Sequence, residues 1–343
     1  MAVNRGYVLM LVTTLSLTLV NLGIVLAASY GMGLATMALL TCGGSLLTGV
    51  VTFLAVRRSV GWWRPARPTG DEVRHVARYG AWINGWMFVT TLMLSTEVLM
   101  LSVLVGPEAV TRYTFSAFAV QFAMSMCLMT ASALAPTIAA SLGARRTAEA
   151  AELIRVTREL VLTIATMAAS MNILGNAAFV TLWAGPEQFI GPGANVCISL
   201  AFLQVALIRC DAQILESGLS IRGAVGIGLL SSLVAIGTGA SAYLLTGGVP
   251  WMIVGLIVGR LGMSFALPVF VGRLQPSGLG YPMRPLLASA AVVALSVAAS
   301  GHLQQTGNLV LTVAGMTGLA LAALVAIPSP DTLRRVIGRS LRR

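Results

Sequence analysis

Residues 249–271 read VPWMIVGLIVGRLGMSFALPVFV, a run of apolar side chains with a single charge, Arg260, near its middle. At about 1.5 Å of rise per residue such a helix is about 34 Å long, enough to cross a hydrocarbon core roughly 30 Å thick. Nine comparable runs lie near 7–28, 33–55, 80–105, 111–139, 157–183, 193–217, 222–245, 284–301 and 308–327. The fold class expected is therefore all-α: a polytopic membrane protein with about ten transmembrane helices. The fourth and fifth runs exceed what a span needs and predict tilting or extension beyond the bilayer. Composition agrees. The 343 residues are 57% hydrophobic and 10% charged, with a mean hydropathy of +0.88, where soluble domains carry about 25% charged residues.

The net charge of +11 comes from 22 basic and 11 acidic residues, and every basic residue is arginine. Without lysine, Schiff-base chemistry and a phosphate-loop lysine are excluded. No nucleic-acid motif accompanies the charge, so no nucleic-acid partner is expected. The arginines punctuate the apolar runs instead. Arg57, Arg58, Arg64, Arg67, Arg74 and Arg78 separate runs two and three, Arg145, Arg146, Arg155 and Arg158 separate four and five, and Arg334, Arg335, Arg339, Arg342 and Arg343 fill the tail. Arg222 marks the six–seven connection, and Arg273 with Arg284 the eight–nine connection, while the alternate loops carry almost none. Arginine-rich loops face the cytoplasm, which predicts a bacterial inner-membrane protein with both termini inside. Cys42, Cys127, Cys197 and Cys210 fall within or at the ends of apolar runs and read as buried hydrophobes. His75 and His302 are far apart, and no metal or cofactor spacing exists. The first run reads as a retained span, not a cleaved leader.

Two segments read as interfacial. Residues 60–78 place Trp62, Trp63, Pro65 and Pro68 beside arginines. In the tail, Leu333, Ile337 and Leu341 recur at helical spacing and predict an amphipathic helix on anionic membrane lipids, the alternative being a disordered basic tail.

Ionised side chains inside spans cost about 2.5–3.5 kcal/mol each on insertion scales, so they turn toward a partner or a wet cavity. Glu97 in the third run shares a face with Thr90, and Arg260 sits among Gly255, Gly259 and Gly262, which would let a helix or a substrate approach closely. Arg209 and Asp211 lie in the sixth run, where Arg209, Gln213 and Glu216 share a face and Asp211 points elsewhere. Gln121 and Asn84 add polar atoms. Glu97, Arg260, Arg209, Asp211, Gln121 and Asn84 are thus the candidate cavity residues. Each has a bland alternative: a protonated Glu97, a static Glu97–Arg260 pair, or snorkelling of Arg209 and Asp211 to the interface. Asn172 and Asn176, one turn apart, read as helix-packing contacts, and Pro136 as a kink or a gating hinge. The outer loops are short and hold no cluster of catalytic groups, so no enzyme is expected and an alternating-access carrier fits best.

The stretch from Tyr79-Gly80 through Glu97, then Leu104-Val-Gly106 and Arg112-Tyr113-Thr-Phe-Ser-Ala117, resembles the start of the second lobe of polysaccharide flippases. That family belongs to the superfamily that includes multidrug and toxic compound extrusion proteins. The likeness continues through Ala135-Pro136, an amphipathic inner loop at Gly143–Arg158, and Leu182-Trp183-Ala-Gly185. It covers residues 1–300, most strongly 79–217. The resemblance implies that 1–56 are the last two helices of a first lobe, 57–79 a cytoplasmic linker and 80–271 a complete six-helix second lobe. It makes 284–327 a C-terminal helix pair and 328–343 a basic tail. Four further first-lobe helices would precede Met1. It also implies translocation of polyprenyl-diphosphate-linked saccharides for exopolysaccharide or O-antigen synthesis, beside a polysaccharide polymerase and glycosyltransferases. Arg260 and Arg209 would contact the diphosphate and Glu97 would couple to H+ or Na+. A cation-coupled exporter of drugs or small solutes, and an inactive or scaffolding chain, are the alternatives.

Overall fold

Within a bilayer no water satisfies a backbone N–H or C=O, so an apolar run must satisfy its own, and helix is how it does so. The computed structural model describes residues 6–59, 68–274, 281, 283–306, 309–329 and 332. Among them it is all-helical: α1 Gly6–Ser29, α2 Leu34–Ser59, α3 Gly70–Leu104, α4 Pro107–Gly143, α5 Thr147–Ala184, α6 Pro192–Ser217, α7 Arg222–Thr246, α8 Val249–Gly259, α9 Leu261–Gly272, α10 Met283–Thr306 and α11 Leu309–Ala326. Among the described residues eight helices are long and apolar enough to cross a membrane, with Val249–Gly272 counted as one, and Thr14–Ser29 and Val310–Ala326 are shorter apolar helices. This is the helix set of a multi-pass membrane protein. Trp62, Trp63 and Pro65, and the tail from Leu333 through Ile337 and Leu341, lie outside the described residues.

The structure refines three boundaries. Within the stretch expected as a linker, 57–79, residues 70–79 form the first turns of α3, and the division between the two compact units falls there, after Arg74. The Thr69 N–H and Oγ1 both donate to Glu72 Oε2, at 2.8 and 2.9 Å, and the Glu72 N–H returns to Thr69 Oγ1 at 3.4 Å. This reciprocal cap satisfies N–H groups that a helix start leaves open. The inner loop expected at Gly143–Arg158 shrinks to residues 144–146, because Arg145 takes a left-handed φ of 56° and the Arg146 N–H closes on the Ser141 carbonyl at 2.9 Å. The chain therefore reverses tightly, and α4 and α5 extend to 37 and 38 residues. The eighth span is one apolar stretch, Val249–Gly272, as expected, with a turn at Arg260, where α8 ends and α9 begins. Beside the break the Gln204 Nε2 donates to the Ile257 carbonyl at 2.9 Å.

The chain divides into two compact units, Met1–Arg74 and His75–Arg343. In the first, α1 packs on α2, and Gly44 lies so close beneath Val20 that a Cβ there would come within 2.0 Å of its Cγ2. In the second, α5 packs against α4, α6, α10 and α11. Its Val161, Ala165 and Ala169 are fully buried, at helical spacing. Small side chains here matter because lipid supplies no hydrophobic drive between helices, and close packing must hold them. The same physics shapes the seam of α7 and α8. A Cβ on Gly255 would lie 2.5 Å from the Thr238 carbonyl oxygen, and one on Gly259 only 2.3 Å from the Ala235 Cα. The glycines flanking Arg260 thus admit a helix backbone. The α3 helix meets α7 where Val89 and Trp86 cover Gly228 and where Met100 covers Gly239.

Candidate functional site

The two charges singled out in the third and eighth spans meet. From the α8–α9 break, Arg260 Nη1 donates to Glu97 Oε1 at 2.7 Å and Nη2 to the Met93 carbonyl at 2.7 Å. Met93 and Glu97 are one turn apart on α3, so the planar guanidinium spans that turn with two parallel donors. Arg260 is 1% exposed and Glu97 6%. Desolvating two charges is costly, and only a short contact with further hydrogen bonds offsets it. Here the Met93 carbonyl supplies that second bond.

Glu97 also lines a cavity of about 440 Å³ between α3, α4 and α6, whose polar members are Glu97, Tyr113, Gln121, Ser125 and Arg209. Glu97 and Tyr113 lie near the α3–α4 turn, at the level of Ile198 on α6. Arg209 lies eleven residues farther along α6, about 16 Å toward the opposite end. Among the described residues Arg209 makes no hydrogen bond or close ion pair, but the Glu216 carboxylate, seven residues on along α6, interacts with it electrostatically. The cavity therefore has a hydrogen-bonded charge pair at one end and a guanidinium free of hydrogen bonds at the other, with Gln121 and Ser125 among the residues of its wall.

The other expected residues separate from this site. Asp211 does not share the cavity with Arg209. Its Oδ1 accepts from Arg158 Nε at 2.7 Å, with both side chains buried, and the Arg158 guanidinium lies 4.7 Å from the centre of the Tyr281 ring. Asp211 and Tyr281 line a second, mostly apolar cavity of about 640 Å³ beside α6, α9 and the start of α10. Asn84 is exposed and donates to the Gly80 carbonyl of its own helix at 2.9 Å. Gln121 does line the cavity. Pro136 sits inside an α4 that continues past it.

Arg158, expected at the edge of the fifth span, is a buried ion-pair partner, because α5 starts ten residues earlier than expected. Its neighbour Glu159 was not anticipated at all. It is 1% exposed and accepts from Arg155 Nη1 at 3.0 Å, the Ser329 N–H at 2.9 Å and Thr332 Oγ1 at 2.6 Å. This ties the segment after α11 to α5. The Glu152–Arg155–Glu159 spacing, at i+3 and i+4 on a helix, was the available signal.

Asn172 and Asn176 are packing contacts, completed by Asn195. Asn195 Nδ2 donates to the Asn172 carbonyl at 2.9 Å, which orients its Oδ1 to accept from Asn172 Nδ2 at 3.0 Å and Asn176 Nδ2 at 2.7 Å. Asn176 also donates to the Ser116 carbonyl at 2.7 Å, so the network joins α4, α5 and α6. Asn195→Leu removes the hub and is expected to cost about 1–2 kcal/mol, read as a lower thermal-unfolding midpoint. An unchanged midpoint would remove the network from the bundle's stability.

No group of three or more His, Cys, Asp or Glu side chains able to hold a metal occurs among the described residues. No family model, curated protein or solved structure matches the chain.

Proposed function

We propose that the chain is a transporter of the polysaccharide-flippase kind, carrying a lipid-linked saccharide whose diphosphate contacts the α3–α4–α6 cavity. On this reading α3 to α9 form the second lobe, α1 and α2 belong to the first, and α10 and α11 are the accessory pair. The observation that supports it is Arg209, a guanidinium in the cavity wall that makes no hydrogen bond or close ion pair among the described residues and whose carboxylate neighbour, Glu216, lies outside the cavity lining. A guanidinium in such surroundings gains from a phosphate, which it can take with two parallel N–H donors. Arg260, expected beside it in that role, is spent on Glu97 and Met93, so the diphosphate contact is assigned to Arg209 alone.

The test is translocation of a fluorescent lipid-linked saccharide in vesicles holding the purified chain. A hydrogen bond to a charged group contributes about 1.5–3 kcal/mol, so Arg209→Gln is expected to slow translocation roughly 10- to 100-fold. An unchanged rate at equal incorporation would remove Arg209 from substrate contact. Absence of translocation by the unaltered chain would sink the flippase reading itself.

A further inference from the structure

We infer that Arg260 determines the charge specificity of the α3–α4–α6 cavity. It is the tethered counter-cation of Glu97, so that no free cation is taken at Glu97 and Arg209 keeps its charge for an anion. This rests on the reading of that cavity as the substrate site.

The groups facing Glu97 can be named helix by helix. Arg260 comes from the α8–α9 break, at 2.7 Å. From α4, Tyr113 lines the same cavity wall, and from α6 the ionisable group in the lining is Arg209, at the far end, with Glu216 beside it beyond the lining. From α7, Gly228 and Gly239 meet α3 on either side of the Glu97 level. A carboxylate inside a bilayer needs a counter-charge or a proton. Here the chain supplies the counter-charge, held at two points by 2.7 Å bonds to Glu97 Oε1 and the Met93 carbonyl. A cation arriving at Glu97 from the cavity would compete with a buried guanidinium already held 2.7 Å from Oε1. Glu97 and Arg260 cancel, which leaves Arg209 as the uncancelled charge among the residues that line the cavity, with Glu216 as its carboxylate neighbour outside that lining. Without Arg260, Glu97 would add a negative charge to the cavity, and the carboxylate would be open to an inorganic or organic cation. On this inference an internal pair stands at Glu97, where coupling to H+ or Na+ was expected. The side chain that excludes cationic substrates is one that does not itself line the cavity.

The experiment follows the thermal-unfolding midpoint of the purified chain in neutral detergent. Three probes are added separately: sodium chloride against choline chloride at constant ionic strength, tetraphenylphosphonium, and farnesyl diphosphate. The unaltered chain is expected to rise with farnesyl diphosphate and to ignore sodium and tetraphenylphosphonium. Arg260→Met is expected to have a lower midpoint, to recover with sodium or tetraphenylphosphonium, and to respond less to farnesyl diphosphate. Should Arg260→Met fail to fold, the double variant Glu97→Gln with Arg260→Met is expected to restore folded protein that ignores sodium. A cation response in the unaltered chain that Glu97→Gln abolishes would overturn the inference. So would a folded Arg260→Met protein that ignores both cations, or a double variant that does not recover. Loss of the farnesyl diphosphate response alone, with the cation responses as stated, would count against the proposed substrate and leave the role of Arg260 standing.

Discussion

Gly259→Ala is expected to split the α7–α8 seam and lower stability by about 3 kcal/mol. The added Cβ would lie 2.3 Å from the Ala235 Cα, 2.5 Å from the Ala235 N and 2.7 Å from Thr238 Oγ1. Two of these are backbone atoms, and no side-chain rotation relieves them. Overpacking costs about 1–3 kcal/mol and more where the backbone must move. Separating the helices also strains the Thr238 Oγ1 bond to the Gly255 carbonyl, 2.6 Å long. Because α8 carries Arg260 at its end, the displacement pulls the guanidinium from Glu97 as well. Gly237→Ala is the control. It lies on the same α7, but a Cβ there meets nothing within 4 Å, and alanine is the better helix former. Thermal unfolding with size-exclusion profiles separates the two. Equal midpoints for both variants would show that the seam tolerates a methyl group and is not close-packed.

Asp211→Leu is expected to cost about 3–5 kcal/mol, the effect of leaving one member of a buried ion pair without its partner. Arg158 and Asp211 are 3% and 2% exposed at their side chains, so water cannot replace the lost carboxylate. The double variant Arg158→Met with Asp211→Leu is expected to regain most of that loss, since apolar replacements of similar volume remove the desolvation cost of both charges. The non-additivity is the signature of a direct pair. A single Asp211→Leu as stable as the unaltered chain would mean that the pair does not hold α5 to α6. The same variant leaves Arg209, two residues away, in its cavity, so the Arg209 experiments can be read independently.

Most of the helical layout was legible in the sequence. The sixth and seventh runs, expected at 193–217 and 222–245, are helices Pro192–Ser217 and Arg222–Thr246. The bilayer requires long apolar helices, and arginine punctuates them, so hydropathy reports their positions almost directly. Helix starts inside charged segments were less legible. Residues 70–79 read as part of an amphipathic linker and 147–156 as an amphipathic loop, yet they are the first turns of α3 and α5, because a cap and a tight turn satisfy their first N–H groups. The site was half legible. Glu97, Arg260 and Arg209 stood out because charges in apolar runs are costly, and a Glu97–Arg260 pair was one of the readings weighed. Asn195 and Glu159 did not stand out. One asparagine near a helix start, and one glutamate in a charged stretch, look like surface residues until their neighbours are known.

The sequence by itself determined that this chain is a set of long apolar helices with a few intramembrane charges, because the cost of an unsatisfied backbone group or a buried charge in lipid is a property of each residue and its local run. Only the tertiary structure decided which charges cancel. Arg260 and Glu97 are 163 residues apart and Arg158 and Asp211 are 53 apart. Their pairing depends on helix contacts set by the glycine-lined α7–α8 seam and the small-residue core of α5. Helix packing therefore gave Arg260 a hydrogen-bonded carboxylate and left Arg209 with Glu216 as a neighbour but no hydrogen bond or close ion pair among the described residues.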